Sequence, residues 1–345
     1  MARPTVNDIA REAGVSLATV DRVLNDRPGV KAKTVSAVQE AVARLGYVRD
    51  MAAANLARQR HYQMVAVLPQ GAGQFVETLE TALREAAQAA ATARTDLRIL
   101  HYPAEDSHAL AARLAQLAEQ DVAGAAVMAP ETPVLRDAVK AMKSKGIPVI
   151  ALVSDLPSTD RDHFVGIDSH AAGRTAGLLM GRFVGPGPGQ IIAIAPSMQL
   201  RDAIERRRGF DEVMLADFPQ LEVLPTLETH GSGVQLRQAL TERLRHASQV
   251  RGIYLLGSGH RALAAALADL GLTGRFAVIG HELTPHTRRA LLAGHIDAVV
   301  TQNLGHLARS TLRILRAKAD RTPIDAAQEL LRIEIVIREN LSPEQ

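Results

Sequence analysis

The first 24 residues contain two short helical patterns joined by a tight turn. Thr5 stands three residues before Asp8, which is the spacing of a capping box at the start of a helix. The apolar residues of this first pattern share one face: Val6, Ile9, Ala10 and Ala13. Gly14 is placed to end the helix and Ser16 to cap a second one. The pattern therefore predicts a helix-turn-helix, a unit whose second helix can lie in the major groove of DNA.

The second predicted helix has an apolar side and an exposed side. Its apolar side comprises Val20, Val23 and Leu24, and its exposed side comprises Leu17, Ala18, Asp21 and Arg22. A third helical pattern begins near Thr34 and ends at Gly46, which completes a three-helix domain. On shape alone, a small helical domain with no DNA role remains an alternative.

The distribution of charge favours the DNA-binding alternative. Residues 1–60 carry ten basic and six acidic side chains, whereas the remaining 285 residues carry 30 basic and 31 acidic ones. The positive excess is therefore confined to the predicted helical domain. A local basic surplus is what a phosphate-binding surface needs, because released counterions supply most of the sequence-independent affinity for DNA.

Four stretches of this region closely resemble the LacI/GalR family of transcriptional regulators. They are residues 5–16 (TVNDIAREAGVS), 18–25 (ATVDRVLN), 33–34 (KT) and 45–47 (LGY). The resemblance implies the following DNA-contacting residues: Thr5, Ser16, Leu17, Ala18, Thr19, Arg22, Asn25, Lys33, Thr34, Tyr47, Asn55 and Leu56. We expect Arg22 to read a guanine edge through paired hydrogen bonds. Asp21 departs from the family pattern, which more often has serine there.

Residues 51–58 (MAAANLAR) resemble the hinge that follows the three helices in this family. The resemblance implies that the hinge folds to a helix on operator DNA and that Leu56 wedges into the minor groove. Arg49 stands where the family often has proline. An alanine-rich linker helix is the alternative interpretation of this segment.

Length and composition further limit the class of protein and the kinds of site that the chain can form. A chain of 345 residues with 47% hydrophobic and 22% charged residues predicts a soluble protein of more than one domain. The absence of cysteine excludes disulfides and thiolate metal sites. We find no secretory signal and no run of eighteen apolar residues, and so expect a cytoplasmic protein without a membrane span. We expect neither a cofactor nor a metal.

After residue 61, short apolar runs alternate with longer amphipathic ones, which indicates βα units and parallel sheets. The predicted strands are 64–68, 97–101, 124–128, 149–153, 164–167, 191–194, 221–226, 252–256, 276–279 and 298–301. Ten strands exceed one comfortable sheet, so we predict an α/β core of two doubly wound lobes. A ligand would lie in the cleft at the carboxyl ends of the strands.

The family resemblance extends more loosely through this half. It implies a core like the periplasmic sugar-binding proteins, with an effector-binding and dimerisation role for residues 61–345 after a DNA-binding domain at 1–60. The first lobe is expected at 61–158 and 285–322, and the second at 162–282 and 325–340. Three crossings between the lobes are expected near 155–164, 279–287 and 319–327.

The resemblance also implies an effector site. Its expected residues are Phe75, Ser154, Asp155, Arg206, Ser258, Glu282 and Gln302. Arg206 and Glu282 should face the cleft from the second lobe, with Phe75 and Gln302 reaching it from the first. Such donors and acceptors suit ligand hydroxyls, hence a sugar, polyol or sugar acid. Plainer interpretations are a solvated helix face for Arg206, a loop cap for Glu282 and ordinary core for Phe75.

The predicted function is a sequence-specific transcriptional regulator, a repressor that binds a pseudopalindromic operator as a homodimer and responds to a small effector. Two alternatives remain: a solute-binding protein, which would need an export signal, and a hydrolase-like enzyme. Ser258, His260, His281 and Glu282 could form a hydrolytic constellation, but no Gly-x-Ser-x-Gly or HExxH motif is present. We therefore expect no enzymatic activity. Residues 257–260 (GSGH) replace the Asn-Asp that the family often shows, which leaves the effector's identity open.

Overall fold

The structure is a computed structural model that describes residues 4–24, 28–47, 61–71, 73–91, 94–104, 106–247 and 249–342. The chain divides into two compact units, Met1–Arg60 and His61–Gln345. In the described ranges, no helix has both the length and the apolar character needed to cross a bilayer.

The first unit contains the three predicted helices. They are α1 (Val6–Ala13), α2 (Leu17–Leu24) and α3 (Ala32–Leu45). Ile9, Val20, Val38 and Ala41 are fully buried and hold the three helices together. Gly14 and Gly46 end α1 and α3 in the left-handed conformation, with φ of +63° and +60°, which glycine adopts without steric cost. The helix-turn-helix prediction is confirmed, although α3 begins two residues before the predicted Thr34.

The second unit contains two sheets, and all ten predicted strands are present in it. The first sheet has the order β2-β1-β3-β4-β5, all parallel. Its strands are β1 (Tyr62–Gln70), β2 (Thr95–Pro103), β3 (Gly124–Val127), β4 (Val149–Leu152) and β5 (His163–Val165). Every residue of β3 and β4 is buried, as expected for parallel strands covered by helices on both faces.

The second sheet has the order β12-β11-β10-β9-β6-β7, with β8 beside β6. Its strands are β6 (Gly189–Ala195), β7 (Leu221–Val223), β8 (Leu227–Glu228), β9 (Val250–Leu255), β10 (Ala277–His281), β11 (Ala298–Gln302) and β12 (Ile333–Val336). The predicted strand 221–226 is in fact two short strands, because Pro225 lies between them and cannot donate to a ladder. The final strand, β12, runs antiparallel to β11 and was not predicted.

Helices cover both sheets. They are α4 (Gln74–Ala89), α5 (Ser107–Ala118), α6 (Pro133–Ser144), α7 (Ser169–Val184), α8 (Arg201–Asp217), α9 (Gly233–His246), α10 (His260–Asp269), α11 (Pro285–Leu292), α12 (Leu304–Asp320) and α13 (Ala326–Glu329). The helix α12 packs against α4 and β3 of the first lobe, whereas α7 packs against α8 and against β9, β10 and β11 of the second. The two-lobed, doubly wound architecture is confirmed.

The predicted lobe boundaries are wrong in two places. We expected 285–322 in the first lobe, but β11 pairs with β10 and β12, so 285–302 belong to the second lobe. The second crossing therefore lies at 302–304 rather than 279–287. The strand β5 pairs with β4, so the first crossing follows Val165 rather than preceding Phe164. Both errors have one cause, because strand pairing across a sheet leaves no local signal in the sequence.

Glycines bring α7 and α8 into backbone contact. A β-carbon placed on Gly173 would lie 2.0 Å from the carbonyl oxygen of Arg206, and one on Gly209 would lie 2.1 Å from that of His170. Real side chains cannot approach so closely, so these positions require glycine. This contact fixes the helix that carries Arg206.

Candidate functional site

A buried ion pair lies at the carboxyl edge of the second sheet. Arg206 on α8 is only 2% exposed, and its Nη2 donates to Oε1 of Glu282 at 2.8 Å. Its Nη1 donates to the carbonyl oxygen of Leu256, just after β9, also at 2.8 Å, and lies 3.6 Å from Oδ2 of Asp202. The pair joins residues 76 positions apart in the sequence.

The structure distinguishes Arg206 from its two arginine neighbours. Arg207 pairs with Asp211 at 2.8 Å, and Arg208 is largely exposed and lies 3.4 Å from Glu212. Only the Arg206 guanidinium points into the interior of the lobe, since α8 is held tightly against α7. The interpretation of Arg206 as part of a solvated helix face is therefore wrong.

Glu282 follows β10 and adopts a strained backbone conformation. Its φ is +71°, in the left-handed region that residues with a β-carbon rarely occupy. Its amide donates to the carbonyl of Val300, and its own carbonyl accepts from Oγ1 of Thr287 at 3.0 Å. Burial raises the pKa of Glu282, and the Arg206 guanidinium opposes that rise. The carboxylate is thus held in place by its backbone contacts and by its hydrogen bond with Arg206.

A second strained residue lies at a strand end of the first lobe. Val153 follows β4 with a φ of +66°, and the amide of Ser154 donates back to the carbonyl of Leu152 at 2.7 Å. This is a tight γ-turn, which is uncommon for a β-branched residue. Strained residues at the carboxyl ends of strands in both lobes mark the edge where a doubly wound fold binds ligands.

Several buried polar atoms in this region have no hydrogen-bond partner among the described residues. They are Nε of Arg206, Oε2 of Glu282, Oγ of Ser154, and both Oε1 and Nε2 of Gln302. Gln302 lies close enough to favour the ionised form of Glu282, yet neither of its amide atoms makes a well-formed hydrogen bond. Buried polar atoms are normally paired, so a set of unpaired donors and acceptors indicates a place for a polar ligand.

The two lobes meet beside this set. Oε1 of Gln74, at the start of α4, accepts from the amide of His286 on α11 at 3.0 Å. A β-carbon placed on Gly73 would lie 3.9 Å from Cβ of Ser258, the exposed residue after β9. Residues of the first lobe therefore contact those of the second across the cleft.

For three of the expected site residues, the structure differs from the predicted placement. Asp155 pairs with Arg161 through both carboxylate oxygens and also accepts from the amide of Leu156, so its acceptors are occupied within its own loop. Phe75 is 9% exposed and packs in the hydrophobic core. Gln302 ends β11 and thus reaches the cleft from the second lobe, not the first.

The floor of the site contains a pair that the sequence did not reveal. Tyr254 stacks on Phe210, with ring centroids 4.2 Å apart, and its hydroxyl lies 2.8 Å from Nε2 of His281. Burial, followed by the nearby Arg206 guanidinium, lowers the pKa of His281 well below its ordinary value. His281 is therefore neutral. Its Nε2 is hydrogen-bonded to Tyr254 rather than to Ser258, its partner in the hydrolytic constellation considered above.

The exposed face of α2 comprises the residues that the sequence predicted to be exposed. Leu17 is 49% exposed, and Ala18, Asp21 and Arg22 are also exposed. Oγ of Ser16 accepts from the amide of Thr19 at 3.2 Å, which makes Ser16 the cap of α2. The carboxylate of Asp8 accepts from both the amide and the hydroxyl of Thr5.

The other expected DNA contacts lie at the edges of this unit. Lys33 is exposed, and Thr34 and Tyr47 are half-buried. Asn25, Asn55 and Leu56 lie outside the described residues, as do Arg49 and the whole predicted hinge.

Comparison with family models identifies both units. Residues 5–50 match the lacI family of bacterial regulatory proteins, and residues 64–322 match the periplasmic binding protein domain. The chain belongs to the LacI/GalR family. This confirms the resemblance inferred from the residues of the first unit.

Individual relatives of this LacI/GalR-family protein match its first part. Catabolite control protein A of Priestia megaterium is 37% identical over 83 residues, which is 24% of this chain and 25% of the relative. The HTH-type transcriptional regulator RegA of Clostridium saccharobutylicum is 44% identical over 71 residues, 21% of each chain. The matched stretch thus spans about a quarter or less of these relatives.

The core has its own structural relatives. An ABC transporter solute binding protein from Burkholderia graminis, solved in complex with D-arabinose, superimposes with a TM-score of 0.73 and 22% identity. The superposition covers 81% of this chain and 96% of that one. At this level of identity the likeness shows a shared fold.

We predict that the buried His260 makes the core less stable in mild acid. Burial, and then the neighbouring His286, lower its pKa to about 3 from an unfolded value near 6.5. Between these values the unfolded chain binds a proton that the folded chain does not, so stability falls as pH falls. From pH 6.5 to 5, His260 should cost about 2 kcal/mol of unfolding free energy.

Denaturant unfolding at pH 7 and pH 5 tests this prediction. The loss between the two pH values should be about 2 kcal/mol smaller in His260→Gln than in the wild type. His246→Gln is the matched control, since the His246 side chain is 75% exposed. An equal loss in wild type and His260→Gln would contradict the prediction.

Proposed function

We propose that this protein is a repressor whose binding to operator DNA is controlled by a small polyhydroxylated ligand held between the lobes of its core. The observation that carries the proposal is the set of buried, unpartnered polar atoms at the strand ends, centred on Arg206 and Glu282. A buried ion pair with unpaired donor and acceptor atoms is destabilising unless a ligand supplies the missing hydrogen bonds.

The chemistry of the set suits adjacent hydroxyl groups. A hydroxyl donates one hydrogen bond and accepts others, so it can bridge Oε2 of Glu282 and Nε of Arg206. Gln302 offers both an acceptor and a donor, and Ser154 offers a hydroxyl from the opposite lobe. A sugar or polyol presents several such hydroxyls in fixed geometry. A ligand bridging Ser154 and the Arg206 pair would hold the two lobes in one arrangement.

The link to DNA follows from the linkage of two binding equilibria. A ligand that favours one arrangement of the lobes shifts the population of that arrangement, and DNA binding changes if only one arrangement lets the hinges of a dimer meet. We place Leu56 of the hinge at the minor groove and α2 in the major groove. A homodimer reading two half-sites gives the affinity that one three-helix unit lacks. Such a protein would act in the cytoplasm, associated with the nucleoid.

The alternative of a solute-binding protein rests on the likeness of the core to sugar-binding proteins. The basic helix-turn-helix unit disfavours it, because transport of a solute has no use for a DNA-contacting helix. Catalysis is also disfavoured, since the histidine nearest to the ion pair is neutral and already paired with Tyr254.

Arg22 should read sequence, so its loss should reduce discrimination between operator and other DNA. An operator is first selected from a random duplex library with the wild-type protein. Arg22→Ala should then lose about 1–3 kcal/mol of affinity for that operator beyond its loss for scrambled DNA. Arg44→Ala is the control, because Arg44 lies on α3 and contacts Glu12. Equal losses for operator and scrambled DNA in Arg22→Ala would contradict a base-reading role.

Arg206 should be needed for the ligand but not for DNA. A thermal-shift panel of D-glucose, D-galactose, D-arabinose, D-xylose, D-ribose and ribitol identifies which compounds bind the wild type. Arg206→Ala should abolish calorimetric binding of those compounds while keeping operator affinity, because the first unit is compact by itself. Arg208→Ala, with its exposed side chain, is the matched control. Ligand affinity within twofold of wild type in Arg206→Ala would place the ligand elsewhere.

A further inference from the structure

The Arg206 guanidinium faces a second carboxylate that the family resemblance did not indicate. Asp202 lies one helical turn before Arg206 on α8, and its Oδ2 is 3.6 Å from Nη1 of Arg206. Its side chain is 16% exposed, so it lies at the margin of the buried site rather than in solvent. Asp202 also acts on the Glu282 carboxylate, whose pKa it raises by repulsion. The three charged groups therefore form one electrostatic unit.

The ordinary interpretation of Asp202 is that it stabilises the helix. An acidic residue in the first turn interacts favourably with the helix dipole, and Asp202 lies in the first turn of α8. That interpretation accounts for an acid at this position but not for its approach to a buried guanidinium that already has a carboxylate partner. The contact with Arg206 has a separate consequence, which concerns the charge of the site.

The site contains no excess positive charge. Among the described residues, Arg206 is the only buried arginine or lysine, and the carboxylates within 4 Å of its guanidinium are those of Glu282 and Asp202. The buried His260 and His281 are neutral, because burial lowers both pKa values. The single positive charge of Arg206 therefore neutralises the negative charge of Glu282 and also faces that of Asp202. If Glu282 took up a proton, the charges of Arg206 and Asp202 would still cancel. No unpaired positive charge is therefore left for an anionic ligand.

We infer that the site selects uncharged polyhydroxylated ligands against sugar acids and sugar phosphates, and that Asp202 is a specificity-determining residue for this choice. This inference rests on the proposed function and narrows its ligand class. A ligand carboxylate or phosphate would have to displace Asp202 or Glu282 from Arg206, or else lie unpaired beside them. Repulsive groups of this kind are a general means of rejecting the wrong ligand. A neutral hydroxyl meets no such repulsion.

Matched pairs of compounds test the inference, since the members of a pair differ only in charge and the oxidised carbon. Suitable pairs are D-glucose with D-glucuronate and D-galactose with D-galacturonate, because a uronate keeps the sugar ring. Calorimetric titration of the full-length protein at constant ionic strength should show the neutral member binding at least roughly tenfold more tightly. In Asp202→Asn, the ratio of acid affinity to neutral affinity should rise roughly tenfold for the same pair.

Asp211→Asn is the matched control. Asp211 lies on the same helix and pairs with Arg207 at the same spacing of four residues, but the Arg207 guanidinium points towards Thr226 instead of Glu282. This variant should leave the acid-to-neutral ratio unchanged, which separates an effect on the site from a general effect on α8.

Three results would overturn the inference. The first is a sugar acid that binds the wild type as tightly as its neutral partner, which leaves the proposed function intact. The second is an unchanged acid-to-neutral ratio in Asp202→Asn, which would restrict Asp202 to stabilising the helix. The third is the absence of binding by any neutral or acidic member, which would remove the proposed sugar site and this inference with it.

Discussion

The buried ion pair between Arg206 and Glu282 is the interaction on which the rest of the core depends. Removing two charges from water costs several kcal/mol per ion, and an apolar pair of similar volume is often at least as stable. The fold nevertheless builds this pair from two distant segments. Gly173 and Gly209 bring α7 and α8 into backbone contact, and Glu282 is held in a strained conformation by the amide and hydroxyl contacts around it. One atom of each partner, Nε of Arg206 and Oε2 of Glu282, then remains without a hydrogen-bond partner among the described residues.

The ion pair lies near a contact between the two lobes, because His286 follows Glu282 by four residues and donates its amide to Gln74. Glu282 and Val153, two of the residues with a left-handed backbone conformation, follow the carboxyl ends of strands in different sheets. The cleft is also where Gln74 of one lobe accepts from the amide of His286 of the other. A ligand that satisfies the unpaired atoms therefore acts at the place where the lobes touch. In the function proposed above, this contact provides the physical basis for coupling between ligand and operator.

Much of the fold could be predicted because its signals are local. Capping spacings, glycine positions and apolar periodicity identified the three helices, and short apolar runs identified ten strands. The lobe boundaries could not be predicted in the same way. Residues 298–302 form a buried strand in either lobe by composition, and only their pairing with β10 and β12 decides which.

The candidate site was predictable only in part, for a related reason. The family resemblance supplied Arg206, Glu282 and Gln302, but not the lobe from which Gln302 enters. It also suggested Asp155, but the carboxylate of Asp155 is paired with Arg161, six residues further along the chain. The approach of Asp202 to Arg206 follows from the four-residue spacing of a helix. The Tyr254–His281 pair instead depends on how β9 and β10 pack together, and no spacing in the sequence encodes it.

The most direct test of the ion pair's role is a sugar titration of the double variant Arg206→Met/Glu282→Leu. Its apolar side chains fill a similar volume without burying charge, so its unfolding free energy should lie within about 1 kcal/mol of wild type or above it. We expect this folded variant to show no calorimetric binding of the compounds that bind the wild type. If the double variant still bound them with near wild-type affinity, the pair would be a structural feature and the ligand would lie elsewhere.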